Sequence, residues 1–349
     1  MSSRGPASGE PGPAESGTAK WYRHFGTVDA PGNSECYAAW SVGIAEDPEL
    51  IRRIDEWPHN KRQPLLMLAA ARFLGARIGP YPDFRAFLDQ HWEDVSRIVL
   101  SRATQTNEAG RCATLLPSLA QIAAGGRPLA LIEVGASAGL TLFPDRYGYE
   151  YDAGAGVTRL APAGAAPGSY PVLGCAVTGP VPLPAELPQV VWRAGIDLNP
   201  LDVRDPDDVA WLEALIWPEQ DFRRERLRRA IALAQADPPL LVAGDLNDQL
   251  LALAAQAPPD ATLVVFHSAV MAYLDAAARD RFRDTMARLA VERGCHWLSN
   301  EGHTVIIQAD GSSVVPEMDE SRLRGRFLLL HNGTPVAIAG PHGQSLEWL

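Results

Sequence analysis

Apolar positions along the chain fall into two regimes that meet near residue 126. Before that point they recur every three or four residues, the spacing of helices with one buried face. Leu50, Ile51 and Ile54 share such a face, with Asp47 as cap and Pro48 in the first turn. Pro64 opens a longer apolar helix over LLMLAAARFLGARI, and Asp83 caps FRAFLDQHW. Further helices are expected from Trp92 to Leu100 and from Glu108 to Ala124. Few runs alternate with period two, so residues 20–126 read as an all-helical N-terminal region.

From Leu129 the pattern changes. Leu129, Leu131, Ile132 and Val134 form a short, nearly continuous apolar run, as a strand covered on both faces does. The loop Gly135-Ala136-Ser137-Ala138-Gly139 follows, then the start of a helix that Pro144 and Tyr147-Gly148-Tyr149 cut short. Ala153–Ser169 reads as a loop. Tyr170–Thr178 and Gln189–Ile196 read as strands of one antiparallel hairpin, an insertion at about 152–196. From Asp197 helix and strand alternate: helices from Asp205 and over Phe222–Ala236, strand Leu240–Gly244, helix Asn247–Ala257, strand Thr262–His267, helix Asp275–Arg293, strand His296–Ser299. That alternation predicts βαβ units and a mostly parallel sheet over residues 127–349. Thr304–Gln308, Arg326–Leu330 and Val336–Ala339 lack intervening helices and predict an antiparallel C-terminal edge. The closing PHGQSLEWL ends in apolar residues and is expected to dock.

Composition narrows the function. A net charge of −11 over 349 residues lacks the footprint of a general nucleic-acid binder. The basic run Arg223–Arg229 spreads around one amphipathic helix. Four scattered cysteines give neither a zinc motif nor a disulfide framework, so no metal is expected and a cytoplasmic location fits. Residues 1–19 are rich in Gly, Pro, Ser and Ala and read as a disordered tail. No apolar run approaches a membrane span. The partner expected is a small-molecule substrate.

Candidate chemistry gathers at strand ends. A parallel sheet binds ligands at the carboxyl ends of its strands, where strand order reverses. Glu133 breaks an apolar run just before a loop of small residues, which lets backbone N–H groups approach a ligand. Asp197 and Asp245 end later strands. This layout is similar to the cofactor site of Rossmann-like, class I methyltransferases. It implies S-adenosylmethionine, with Glu133, Gly135, Ser137 and Gly139 at the amino-acid end, Asp197 at the ribose and Asp245 near adenine. The spacing departs from that pattern: Gly139 to Asp197 is 58 positions (197 − 139), against the usual roughly twenty. The plain alternatives are a loop anchor for Glu133 and helix caps for both aspartates. His267 and Glu301, at the ends of the next two strands, are candidate bases for methyl transfer to oxygen or nitrogen. Asn107, Glu108 and Arg111 form a polar cluster suited to line the pocket, and Arg146 is suited to a carboxylate.

Two other classes stay open. Gly135 to Gly139 also spell G-x-S-x-G, and Ser137, Asp245 and His303 or His342 stand in the order of an α/β-hydrolase triad. The all-helical lead-in and the early Pro144 fit that reading poorly. A non-enzymatic binding protein on a degenerate Rossmann scaffold is the third.

The strings TQTNEAGRC, LALIEVGASAGLTLFPDRYGYEY, GIDLNPLDVRDP, WLEALIWPEQ, VVFHSAVMAYL, WLSNEG and PHGQSLEWL carry a further likeness. Together, in this order, they resemble the bacterial family catalogued as domain of unknown function 2332. Thr141 and Ser345 depart from its usual residues. The resemblance implies one shared architecture over nearly the whole chain and a site built from the motif residues. It implies no particular reaction.

Overall fold

The computed structural model describes residues 16–105, 107–305, 318 and 320–349. The chain separates into two compact units: residues up to 105 together with 210–224, and residues 106–209 together with 225–349.

The first unit is helical: α1 (Gly17–His24), α2 (Glu35–Ala45), α3 (Pro48–Ile54), α4 (Pro64–Phe73) and α5 (Tyr81–Ser101). Ser16, Ser34 and Asp47 cap the first three by accepting a hydrogen bond from the amide three residues on. Residues 17–19, expected in a disordered tail, instead begin α1; residues 1–15 of that tail lie outside the described residues. The two helices expected either side of residue 91 are one element, kinked at His91 (φ −122°). Stacked aromatic pairs run through its largely aliphatic core: Trp40 on Phe84 at 3.8 Å, and Trp57 on Trp92 at 5.0 Å.

The second unit is built on an eleven-stranded sheet. Its strands are β1 (Leu129–Val134), β2 (Gly148–Asp152), β3 (Val157–Leu160), β4 (Val172–Thr178), β5 (Val190–Asp197) and β6 (Leu240–Ala243). They continue with β7 (Thr262–Ser268), β8 (His296–Gly302), β9 (Phe327–His331), β10 (Thr334–Ala339) and β11 (Ser345–Trp348). The spatial order is β3-β2-β4-β11-β10-β9-β8-β7-β1-β5-β6. The five strands β6-β5-β1-β7-β8 are all parallel. Beyond them β9, β10 and β11 alternate in direction, as expected, but they are not an edge: β4, β2 and β3 continue the sheet past β11. Its helices are α6 (Cys112–Ala123), α9 (Leu246–Ala254) and α10 (Ala276–Arg293), with a short α11 (Glu320–Leu323), while α7 (Pro206–Ala214) and α8 (Asp221–Ala236) contribute residues to both units. The fold is mixed α/β with a largely parallel sheet. No helix among the described residues is long and apolar enough to cross a membrane.

Strand alternation assigns each side chain of β1 to a face. Ala130, Ile132 and Val134 join one core with Val265, Leu250, Phe282 and Met286, under α9 and α10. Leu129, Leu131 and Glu133 therefore face the other side.

Four local expectations are corrected. The antiparallel hairpin does not form: β4 lies parallel to β2 and β11, and β5 lies parallel to β1 and β6. The apolar alternation that marks both strands carries no information about their partners. The supposed loop 153–169 contains β3, paired with β2. No α-helix follows the small-residue loop; a single 3₁₀ turn, Leu140–Leu142, leads to β2. Within Thr304–Gln308, residues 303–305 form a 3₁₀ turn and the remainder lies outside the described residues. The helix expected over 108–124 is present as α6, after a 3₁₀ turn at Ala109–Arg111, and belongs to the sheet unit. The closing segment docks as β11, between β10 and β4.

Candidate functional site

Strand order reverses between β1 and β7: the chain fills β5 and β6 on one side and β8 on the other. The carboxyl ends of β1 and β7 thus flank the crevice where open α/β sheets take ligands.

The turn after β1 is held by left-handed residues at alternate positions: Gly135 (φ 74°), Ser137 (φ 51°) and Gly139 (φ 72°). The amides of Gly135 and Ala136 donate to Ile196 O at 2.8 and 3.1 Å. Ser137 N donates to Asp197 Oδ2 at 2.8 Å, and Asn199 N to Asp197 Oδ1 at 2.9 Å. Asn107 clamps the far side: its Nδ2 donates to Ala136 O at 2.8 Å, and its Oδ1 accepts from Leu140 N at 3.0 Å. Gly139 N donates to Ala136 O at 2.7 Å. Four of the five loop amides expected to face a ligand, and that of Leu140 beside them, are therefore satisfied within the chain. Val270 closes over the turn, since a Cβ on Gly135 would lie 2.3 Å from Val270 Cγ2.

Side chains in the same bend tell a different story. Glu133 (6% exposed), Ser137 (3%) and Thr141 (4%) are buried, and Glu133 Oε2, Ser137 Oγ and Thr141 Oγ1 have no hydrogen-bond partner. Buried polar atoms in native proteins are nearly always paired, so three orphans within nine residues require an explanation. Burial pushes the Glu133 carboxyl up to about 8, against the smaller lowering effects of the Thr141 hydroxyl, which lies beside it but outside hydrogen-bond geometry, and of the Arg111 charge.

Polar groups from three further segments surround this bend. Arg111 donates from Nη1 to Ser268 O and from Nε to Pro341 O, both at 3.0 Å, tying β7 to the closing segment. Asn300, fully buried on β8, donates from Nδ2 to Ser268 Oγ at 2.9 Å, and its Oδ1 has no partner. Glu108 Oε1 accepts from Gly110 N at 3.0 Å and from Arg226 Nη2 at 2.8 Å.

His267 and Glu301 face the opposite side of the sheet. His267 shares its face with Leu263 and Val265 and sits edge-on to Phe282. It is fully buried; its Nδ1 lies 2.7 Å from Glu301 Oε1, and its Nε2 accepts from Trp297 Nε1 at 3.0 Å. Glu301 Oε1 also accepts the amides of Val270 and Met271 at 2.8 and 3.2 Å. Both ring nitrogens are engaged, which fixes a neutral imidazole protonated at Nδ1. As placed, the pair anchors the turn after β7. Asp245 stands at the end of β6 and caps α9 through Asn247 N at 2.8 Å. Arg146 is half exposed, pairs with Asp145 and Asp237 at 3.5 and 3.6 Å, and stands apart from the cluster. Ser137 has the positive φ of a nucleophile elbow, yet its unpartnered Oγ has no imidazole to activate it.

The structure thus brings Asn107, Arg111, Glu133, Ser137 and Asp197 to one sheet edge and places His267 with Glu301 on the other face. Sequence reasoning missed Thr141, Ser268, Asn300 and Arg226. Asn300 and Ser268 flank residues that were singled out, but only the β7–β8 register makes them neighbours.

What the fold and the bend define is a mixed α/β protein with a buried polar site at the carboxyl edge of a parallel sheet. The chain belongs to the family described as an uncharacterized protein conserved in bacteria, DUF2332, matched over residues 19–348. No curated protein matches it.

Proposed function

We propose that the chain binds S-adenosylmethionine at the carboxyl edge of β1 and transfers its methyl group to an oxygen or nitrogen of a small acceptor. Support comes from five parallel strands with an antiparallel neighbour, and from acids at the ends of β1 and β5. The observation that carries the reading is the set of orphaned buried atoms, Glu133 Oε2, Ser137 Oγ and Thr141 Oγ1. Together they offer acceptors to an ammonium group. An ammonium against Glu133 would offset the burial that keeps its carboxyl protonated, and the carboxylate so formed has about four lone-pair sites. Asp197, half-buried at the end of β5, accepts from Ser137 N and Asn199 N and is the acid we assign to the ribose. Asp245, farther along the same edge, is the acid we assign to the adenine.

The cofactor supplies an electrophilic methyl on a cationic sulfur. The chain's part is to orient and to exclude water: Asn107 and Asp197 fix the turn, and Arg111 ties β7 to the closing segment. In-line positioning of the two reactants supplies most of the rate. His267 and Glu301 hold the turn at Val270 and Met271 as positioning residues.

Calorimetry and thermal shift test this. A ligand at about 100 times its Kd should stabilise the chain by about 2.7 kcal/mol. A hydrogen bond to a charged group contributes about 1.5–3 kcal/mol, so Glu133→Gln should weaken S-adenosylhomocysteine by roughly tenfold to a hundredfold. No shift with either adenosyl compound removes the reading. The satisfied loop amides favour a second one, a non-enzymatic scaffold, which predicts that absence of shift.

A further inference from the structure

We propose that the other face of the sheet carries a second ligand site, a groove between α10 and strands β8 to β10 that takes a free single-chain carboxylate with its apolar tail inward. The groove has a volume of about 720 Å³. That lies within the range of small-molecule sites, roughly 300–1,000 Å³. Its floor is Phe282, Met286, Trp297 and Leu330. Phe282 and Trp297 meet edge-to-face, ring centres 5.6 Å apart, so the floor is a fixed apolar surface. Met271 and Met286 add adaptable walls suited to a flexible chain.

Charge selects the head group. Arg279, Phe282, Arg283, Met286 and Ala290 recur at helical spacing and form one stripe of α10 along the groove. Arg279 is oriented by donating from Nε to Met271 O at 2.9 Å. Arg283 is already ion-paired with Asp280 on the same helix, so Arg279 is the guanidinium the groove offers to a head group, and among the described lining residues none is acidic. An apolar trough with the Arg279 guanidinium on one wall matches an anion on a hydrocarbon chain and disfavours a cationic amphiphile. Since Glu133 faces the opposite side, this site stands or falls independently of the cofactor proposal.

The test is displacement of cis-parinaric acid from the full chain. Dodecanoate should displace it, with dodecanol and dodecyltrimethylammonium at least about tenfold weaker. Arg279→Gln should cost dodecanoate about tenfold or more while leaving dodecanol within about twofold. Ala290 is exposed on α10, so Ala290→Phe fills the groove without touching the core. That variant should keep its melting temperature and adenosyl binding and lose dodecanoate. Failure of dodecanoate to displace the probe at about 1 mM, a Kd that is only about −4.1 kcal/mol, overturns the proposal. So does equal binding of the cationic amphiphile, unchanged binding in Ala290→Phe, or capture by phosphatidylglycerol vesicles without binding of monomeric acid.

Discussion

Glu133 is a carboxyl group that burial keeps protonated near neutrality, its pKa raised from 4.5 to about 8. In the unfolded chain it ionises with its ordinary value. Between about 4.5 and about 8 the folded state therefore binds more protons than the unfolded state, and stability falls as pH rises through that window. The stabilising contribution is complete below the unfolded value and gone above the folded one. The slope is at most about 1.4 kcal/mol per pH unit. Denaturant midpoints measured across the window should decline in the parent chain and flatten in Glu133→Gln. A parent profile no steeper than the variant's would show that this carboxyl ionises freely. Glu133 was legible in the sequence because it interrupts an apolar run. The role of Asp197 was half legible: its position at a strand end could be read, but its grip on Ser137 N depends on β1 and β5 being neighbours. The placement of His267 and Glu301 on the opposite face from Glu133 was equally hidden, because it follows from the long-range pairing that sets Phe266 opposite Glu133 and Ser299 opposite His267.

Among the elements, the parallel strands and their helices announced themselves by alternation and caps, as with Asp245 before α9 and Gly294 after α10. The β2–β3–β4 wing did not. Tyr170–Thr178 reads equally well as a hairpin arm or as a strand beside a distant segment, and only long-range pairing decides. What anchors that distant segment is a backbone contact between two glycines. A Cβ on Gly343 (φ 80°) would lie 1.8 Å from Gly110 O, and one on Gly110 would lie 2.4 Å from His342 O. Gly343→Ala must push the closing segment away from the turn before α6. A loss above about 2 kcal/mol in urea unfolding is expected. Gly174→Ala, whose Cβ meets open space, is the control and should cost less than about 0.5 kcal/mol. Equal effects of the two substitutions would discount the contact.

For the molecule as a whole, β11 is the keystone of the sheet unit. It alone joins β10 to β4, with Ser345 opposite Ala176 and Leu346 opposite both Ala339 and Val177. A chain ending at residue 340 should leave two open strand edges, self-associate on size exclusion and lose a single cooperative melt. A monomeric, cooperatively melting truncation would mean that the wing holds by its other contacts.

The pairing of β4 with β11 spans 169 positions (345 − 176). At roughly 5–20 residues per second of synthesis, the wing emerges about ten to thirty seconds before the strand that will border it. During that interval β4 presents an unclaimed row of amides and carbonyls to anything nearby, another nascent chain included. Folding of this protein on the ribosome is thus a race between its own later residues and its neighbours.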